Sequence, residues 1–115
     1  MTRIAICGAA GRMGRALIHA VDARTDVSLA AAIERTGSSL IGADAGEMAA
    51  LPAKGILINQ SLASQIDMVD IVIDFTSPES TVANIALCRQ ERKGIVIGTT
   101  GLSEAQKHLL IEASH

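Results

Sequence analysis

Aromatic side chains are nearly absent: the sequence has no Trp or Tyr, and Phe75 is its one Phe. Without such rings the chain lacks a platform on which the bases of single-stranded nucleic acid could stack. The net charge of −2, with no basic cluster beyond residues 89–93, argues against a nucleic-acid surface as well. We therefore expect no nucleic-acid partner and a core built from Ile, Leu, Val, Ala and Met.

Long apolar runs are missing too. No segment approaches the ~20 apolar residues of a membrane-spanning helix, and residues 3–8 lack the apolar stretch and cleavage site of a signal peptide. The two cysteines, Cys7 and Cys88, lie in apolar segments without metal-ligand spacing. Because disulfides are rare in the reducing cytosol, we expect both cysteines to be buried free thiols. From the lack of a signal peptide, a spanning helix and metal-ligand spacing, we expect a cytoplasmic protein with no membrane partner and no metal site.

Apolar runs do alternate with amphipathic segments along the chain. The runs predict five strands, over residues 3–7, 27–33, 55–58, 69–75 and 95–97. Alternating strands and helices predict parallel β-α-β units with right-handed crossovers. We expect an α/β fold over residues 1–115: a Rossmann-type, doubly wound parallel sheet with helices on both faces, lacking its last strands.

Two long helices are predicted between these strands. The first covers residues 12–24 and presents an apolar stripe to the core, formed by Met13, Leu17, Ile18 and Val21. The second begins with Ser77 as N-cap and Pro78 after it, and runs to about Arg92, where Gly94 stops it. Its predicted inward residues are Val82, Ile85 and Ala86. Shorter helical turns are expected near residues 47–51 and 61–66, and a last helix from residue 103.

A glycine pattern leaves the first strand and opens the first helix: Gly8-Ala9-Ala10-Gly11-Arg12-Met13-Gly14. Gly8 can make the tight turn, Gly11 lets the backbone approach a pyrophosphate, and Gly14 lets helix and strand pack closely. The helix N-terminus offers N–H groups and partial positive charge to phosphates. The pattern predicts a site for NAD or NADP. The alternative is a turn that only packs tightly.

An acidic residue is expected at the end of the second strand, where it would accept hydrogen bonds from the adenosine ribose. Glu34 stands there, 20 residues after Gly14, and Arg35 follows it. A carboxylate favours the free 2′-hydroxyl of NAD, whereas a guanidinium favours the 2′-phosphate of NADP, so the pair predicts tolerance of both. Arg12 is either a second phosphate ligand or a solvated surface residue.

Two further loops follow predicted strands and should lie at the same edge of the sheet. Phe75 begins one of them, and Gly98, Thr99 and Thr100 form the other. They could contact the nicotinamide side of a cofactor, or they could be ordinary core and turn residues.

Other chemistry is sparse. The histidines, at positions 19, 108 and 115, are scattered and are interpreted as surface or helix residues. Asp70 and Asp74 flank the fourth strand without forming a recognisable catalytic pair, and no Ser-His-Asp order is evident. We expect no catalytic residue within these 115 residues.

Taken together, several segments resemble one enzyme family. These are residues 3–15 (RIAICGAAGRMGR), 32–35 (AIER), 37–47 (GSSLIGADAGE), 72–79 (VIDFTSPE) and 93–101 (KGIVIGTTG). They are similar to the 4-hydroxy-tetrahydrodipicolinate reductases, also called dihydrodipicolinate reductases. The combination of G-R-M-G with D-F-T-x-P-E and G-T-T-G is specific, and the similarity covers the whole chain.

The resemblance implies reduction of 4-hydroxy-tetrahydrodipicolinate, a small cyclic dicarboxylate, with NADH or NADPH in diaminopimelate and lysine biosynthesis. It implies cofactor contacts at Gly8, Ala9, Ala10, Gly11, Arg12, Met13, Glu34, Arg35, Gly98, Thr99 and Thr100. Phe75 joins these candidates from its position after the fourth strand, not from the resemblance. Thr100 matches a family position that also contacts the substrate carboxylate.

Family members continue beyond the position matched by His115. A separate domain carries the substrate-binding His and Lys and mediates tetramer formation. The resemblance therefore implies the inactive front part of a homotetrameric enzyme, with its fifth strand as an exposed sheet edge. Two other hypotheses stay open: another Rossmann dehydrogenase, of the homoserine or aspartate-semialdehyde type, or a non-enzymatic nucleotide-sensing domain.

Overall fold

The apolar runs of the sequence form a parallel sheet in the computed structural model, which describes residues 2–98. The strands are β1 (Thr2–Cys7), β2 (Val27–Ile33), β3 (Ile58–Asn59), β4 (Ile71–Asp74) and β5 (Gly94–Ile97). The helices are α1 (Arg12–Asp22), α2 (Ala45–Met48) and α3 (Pro78–Glu91), with a 3₁₀ helix at Ala63–Met68. The predicted helix from residue 103 lies outside the described residues.

The strand order across the sheet is β3-β2-β1-β4-β5, and every neighbouring pair is parallel. The chain therefore winds outward from β1 first in one direction, through β2 and β3, and then in the other, through β4 and β5. The predicted Rossmann-type α/β fold is confirmed. In such sheets ligands bind at the carboxyl ends of the strands, where the winding reverses, which here is between β1 and β4.

Two apolar clusters cover the two faces of the sheet. On one face, α1 and α2 pack on the strands, and the buried residues there include Ile6, Ile18, Ala45 and Ile58. On the other, α3 and the 3₁₀ helix pack on the alternate strand residues, and that cluster includes Val72, Ile66, Ile85 and Cys88. Burial on both faces explains why the strands are almost continuously apolar.

The buried stripe of α1 differs from the prediction. Gly14, Ile18 and Val21 are buried, whereas the side chain of Met13 is 51% exposed. The stripe is rotated because Gly14 lies directly against the backbone of the preceding loop: a Cβ on it would stand 2.2 Å from the Gly8 carbonyl oxygen. The predicted inward position of Met13 is wrong for this reason.

The start of α3 and its end near Arg92 follow the prediction, but Gly94 does not stop the helix. The Ser77 side chain accepts a hydrogen bond from the backbone N–H of Ser80 at 3.3 Å, and Pro78 is the first helical residue. The helix ends at Arg92, which adopts a left-handed conformation with φ of 58°. Gly94, predicted to end the helix, instead begins β5.

The inward face of α3 consists of Thr81, Ile85 and Cys88, whereas the predicted Ala86 is exposed and Val82 only partly buried. These three residues share one face by helical spacing. Thr81 is fully buried despite its hydroxyl because that hydroxyl has a hydrogen-bond acceptor in Asp74.

The segment before β4 forms less regular structure than predicted. β3 begins at Ile58 and not at Gly55, since Gly55 has a positive φ of 74° and Leu57 makes only an isolated antiparallel bridge with Asp44. Asp44 caps α2, and it also accepts hydrogen bonds from the backbone N–H groups of Lys54 and Gly55.

Among residues 2–98, none of the helices has the length and apolar character needed to span a membrane.

Candidate functional site

The glycine loop leaves β1 and turns back into α1. Gly8 has a φ of +85°, a conformation that glycine adopts without steric cost. The N–H groups of Gly8 and Ala9 both donate to the Ile33 carbonyl oxygen, at 2.9 and 3.2 Å. Gly11 donates to the Gly8 carbonyl oxygen at 3.1 Å. The end of β2 and the loop itself therefore fix the turn.

Gly11 is the N-cap of α1, and within the described residues no side chain caps this helix and no acid lies in its first turn. A Cβ on Gly11 would meet only the Gly8 carbonyl oxygen, at 3.4 Å. The N-terminus of α1 thus keeps its positive end open to an anion. Arg12 and Met13, which follow, are exposed.

Glu34 lies directly beside this loop. One carboxylate oxygen accepts a hydrogen bond from the Ala10 N–H at 3.0 Å, and the other accepts from the Arg35 N–H at 3.0 Å. The strand-end acid predicted for ribose recognition and the glycine loop are therefore in contact. Glu34 is half-buried, and the Arg35 side chain is exposed beyond it.

Phe75 connects three strand ends. Its N–H donates to the Cys7 carbonyl oxygen at 3.0 Å, and its own carbonyl lies against Gly8. Its ring covers Gly98, so closely that a Cβ on Gly98 would stand 1.9 Å from a ring carbon. Gly98 therefore serves close packing, as well as any ligand contact it makes.

These elements enclose a cleft of about 360 Å³ at the carboxyl ends of β1, β2 and β4. Its walls include Gly8, Glu34, Arg35 and Phe75, all predicted site residues. The predicted site residues 9–13 and Gly98 do not line this cleft. Its other lining residues are Cys7, Ile33 and Leu62, and six that carry hydroxyl or amide groups: Thr36, Gln60, Thr76, Ser77, Ser80 and Asn84. The cleft offers hydrogen-bonding groups and a flat ring next to an open helix N-terminus, as a nucleotide requires.

Beneath the cleft lies the carboxylate of Asp74, for which the sequence predicts no role. Asp74 is fully buried at the end of β4, and its carboxylate accepts hydrogen bonds from Thr76, Thr81 and Asn84. The sequence signal was an acid directly after an apolar strand with Thr two residues later, which is typical of a side chain that caps its own turn.

Two polar residues outside the cleft, Asp70 and His19, have partners within the protein. Asp70 pairs with Arg3, whose guanidinium hydrogen-bonds it and lowers the pKa of the acid to about 2. His19 is exposed, and its Nε2 lies 2.5 Å from the Ala49 carbonyl oxygen. No cluster of metal-ligating side chains occurs among residues 2–98. Four residues singled out earlier, Thr99, Thr100, His108 and His115, lie outside this range.

The two cysteines are buried free thiols, as predicted. Burial raises the pKa of the Cys7 thiol far above its ordinary value, and Asp74 adds to the effect. Burial, with a further contribution from Asp74, raises the pKa of Cys88 to about 11. Neither thiol has the character of a nucleophile.

Comparison with known proteins gives a consistent result. A family model described as "Dihydrodipicolinate reductase, N-terminus" matches residues 2–115. A curated protein named 4-hydroxy-tetrahydrodipicolinate reductase, from Hahella chejuensis, is 59% identical over 114 residues, which are 99% of this chain and 43% of that protein. The chain thus spans less than half the length of this relative.

Solved structures give the same picture. A dipicolinate-bound dihydrodipicolinate reductase from Paenisporosarcina matches 98% of this chain and 43% of its own, with 28% identity and a TM-score of 0.76. An amine dehydrogenase from Mycobacterium smegmatis matches 84% of this chain and 29% of its own, with a TM-score of 0.68. At 18% identity, the second match shows only a shared fold.

Proposed function

The chain belongs to the family of dihydrodipicolinate reductase N-terminal domains, and from this premise we propose that it is the NAD(P)H-binding part of an oxidoreductase. The intact enzyme would reduce 4-hydroxy-tetrahydrodipicolinate to tetrahydrodipicolinate in lysine and diaminopimelate biosynthesis. The cofactor would supply the hydride, and this domain would bind and orient the nicotinamide. The contact of Glu34 with the glycine loop, beside the open end of α1, carries the proposal.

The pyrophosphate would lie at the loop of residues 8–13. The backbone there is free of side chains at Gly8 and Gly11, and α1 begins without a competing acid. The N–H groups of residues 8–11 already have acceptors within the protein, so a phosphate at this position would receive the N–H groups of the first turn of α1 and the positive end of the helix. Arg12 and Met13 are exposed next to it, so Arg12 could add a charge-assisted bond.

The adenosine ribose would lie at Glu34 and Arg35. The carboxylate is held in place by two backbone N–H groups and retains further lone pairs for the ribose hydroxyls. The exposed guanidinium of Arg35 could pair with a 2′-phosphate. These two residues support binding of both NADH and NADPH.

The nicotinamide would lie toward Phe75, which lines the cleft, and Gly98, which packs against the Phe75 ring. Thr99 and Thr100, which the resemblance assigns to the cofactor, and in the case of Thr100 to the substrate carboxylate, follow Gly98 directly in sequence. The dipicolinate bound by the Paenisporosarcina relative is likewise a cyclic dicarboxylate.

Catalytic residues, the substrate domain and a homotetrameric assembly are proposed to belong to the part of the protein beyond residue 115. The resemblance implies this division, and the 43% share of the Hahella relative that the chain matches is compatible with it. Residues 1–115 alone should then bind the cofactor weakly and not catalyse the reduction.

Calorimetry with NADH and NADPH tests the proposal, alongside an assay of substrate reduction by the intact protein. We expect saturable binding of both nucleotides and turnover in the intact protein. A matched Gly11→Val variant should retain the circular dichroism spectrum and lose binding, because the side chain would intrude where the pyrophosphate rests. Absence of nucleotide binding by the intact wild-type protein would contradict the proposal.

A further inference from the structure

We propose that Asp74 is a positioning residue for the dinucleotide, which holds the Phe75–Ser77 loop in the conformation that walls the cleft. The inference rests on the proposed function, because dinucleotide affinity is its readout. Asp74 need not touch the ligand: it is fully buried and is not among the residues that line the cleft.

The Asp74 carboxylate collects several donors. Its Oδ1 accepts from the Thr76 N–H at 2.8 Å, from the Thr76 hydroxyl at 2.6 Å and from the Thr81 hydroxyl at 3.2 Å. Its Oδ2 accepts from the Asn84 amide at 2.7 Å. Two of the donors belong to the loop and two to α3, so the carboxylate ties the loop to the helix that follows.

The backbone around Asp74 links the same loop to both neighbouring strands. The Asp74 carbonyl oxygen accepts from the Gly98 N–H at 2.8 Å, and the Phe75 N–H donates to the Cys7 carbonyl oxygen at 3.0 Å. The side chain thus completes a set of bonds that joins the ends of β1, β4 and β5 under the cleft. Once Thr76 is held at both its N–H and its hydroxyl, Phe75 has little freedom to leave Gly8 and Gly98.

A carboxylate suits this position better than an amide. Each of the four hydrogen bonds requires an acceptor, and a carboxylate provides only acceptors. Asparagine would present an N–H₂ group either to the Asn84 amide or to the donors of Thr76 and Thr81. Buried donors left facing a donor are costly, and the cost increases in a low-dielectric interior.

Thr81 allows the network to be tested at a distance. It is fully buried, does not line the cleft, and bonds Asp74 through its hydroxyl. Thr81→Val removes the hydroxyl at nearly constant volume, and Thr81→Ser retains it. A change in dinucleotide affinity at Thr81 is therefore indirect, and the contacts that can transmit it are those with Asp74 and, at 3.5 Å, with the Thr76 hydroxyl, which itself bonds Asp74.

The experiment measures the Kd of NADH and NADPH for the intact protein, at a temperature where every variant is folded, together with each Tm. Thr81→Val should weaken both nucleotides by about three- to tenfold, the effect of losing one internal hydrogen bond. Thr81→Ser should stay near the wild-type Kd. Ile85→Val, a core change on the same face of α3, should lower Tm and leave Kd unchanged.

An exchange of charge gives a second measurement. Asn84→Asp alone brings two carboxylates together and should weaken binding strongly or prevent folding. Combined with Asp74→Asn it restores one acid and one amide, and should recover the Tm that Asn84→Asp loses; Tm is the readout for this pair because Asn84 itself lines the cleft. A Tm that stays low in the double variant would show that the bond between residues 74 and 84 does not hold the loop. If Thr81→Val lowers Tm but leaves Kd unchanged, as Ile85→Val should, Asp74 has only a structural role. If the wild-type protein binds neither nucleotide, the proposed function itself fails.

Discussion

The carbonyl oxygen of Phe75 lies where a side chain on Gly8 would have to stand, 2.6 Å from an ideal Cβ at that position. The contact joins the turn after β1 to the turn after β4, the two strands between which the winding of the sheet reverses. The shape of the cleft therefore depends on the absence of a Cβ at Gly8.

Gly8→Ala should consequently destabilise the protein severely. An alanine in this left-handed conformation costs roughly 1–2 kcal/mol. In addition, its methyl group would clash with the Phe75 carbonyl oxygen. Gly37→Ala is a matched control, because Gly37 also has a positive φ, of 89°, but nothing lies within 4 Å of its Cβ position. Urea denaturation should show that Gly8→Ala lowers the free energy of unfolding by about 1–3 kcal/mol more than Gly37→Ala does, because only Gly8→Ala overpacks its surroundings. Equal losses at the two glycines would show that the Phe75 contact is unimportant.

Gly14 and Gly11 should separate a folding defect from a binding defect. Gly14→Ala places a methyl group 2.2 Å from the Gly8 carbonyl oxygen and should lower the free energy of unfolding by about 1–3 kcal/mol. Gly11→Ala has room, with its nearest contact at 3.4 Å, and should keep wild-type stability while weakening NADH about tenfold or more. Thermal denaturation and calorimetry on both variants check this. Normal affinity in folded Gly11→Ala would place the pyrophosphate elsewhere.

Arg35→Ala should weaken NADPH more than NADH. A charge-assisted hydrogen bond to the 2′-phosphate contributes about 1.5–3 kcal/mol, so the Kd for NADPH should rise tenfold or more relative to that for NADH. Arg24→Ala removes the same charge from an exposed arginine that pairs with Asp26, and should affect both nucleotides little. Equal weakening of NADH and NADPH by Arg35→Ala would remove Arg35 from the phosphate site.

The Arg3–Asp70 pair should make a pH-dependent contribution to stability. Hydrogen bonding from Arg3 lowers the pKa of Asp70 to about 2 in the folded protein, below its unfolded value of about 3.9. The contribution is therefore complete above about pH 4 and is lost as the pH falls toward 2. Urea midpoints of wild type and Asp70→Asn should differ near pH 5 and converge near pH 2, with added salt reducing the difference. Arg3→Gln should reduce this pH dependence without removing it, because the variant loses the guanidinium but keeps the Arg3 backbone N–H, which also donates to Asp70 at 2.8 Å. An unreduced pH dependence in that variant would rule out the guanidinium as its main cause.

Both thiols should resist labelling in the native protein. Burial raises the pKa of Cys88 to about 11 and that of Cys7 further, so at pH 8 little thiolate is present or accessible. Ellman's reagent should report no fast-reacting thiol in the native state and two in denaturing urea. Rapid reaction of either cysteine without denaturant would contradict the burial described above.

Most of the sheet could be predicted from sequence, because strands buried on both faces are continuously apolar. The bounds of β2 agree residue for residue with the apolar run at 27–33. The bounds of β3 do not, since its first predicted residues are diverted by the positive φ of Gly55 and by the bridge from Leu57 to Asp44. Hydrophobicity cannot reveal such local hydrogen bonding.

The helices show the limit of apolar periodicity. In α1 the position of the buried stripe is set by Gly14, which has no side chain and so does not contribute to a hydrophobic pattern. Because Gly14 packs against the preceding loop, Met13 faces outward. In α3 the stripe includes Thr81, which is buried only because Asp74 accepts its hydroxyl. Glu34 could be placed beside the glycine loop from spacing alone, whereas the Asp74 network could not, because it depends on side chains brought together by β4 and α3.

The two backbone hydrogen bonds to Glu34 have a thermodynamic consequence. A free glutamate must give up rotamer freedom when it orders around a ligand, and that loss opposes association. In the folded protein, hydrogen bonds from the N–H groups of Ala10 and Arg35 already hold the Glu34 side chain in one rotamer. Glu34 is thus preorganised: the ribose hydroxyls would bind a carboxylate whose orientation is already fixed. Little side-chain conformational entropy of Glu34 would then be lost on binding.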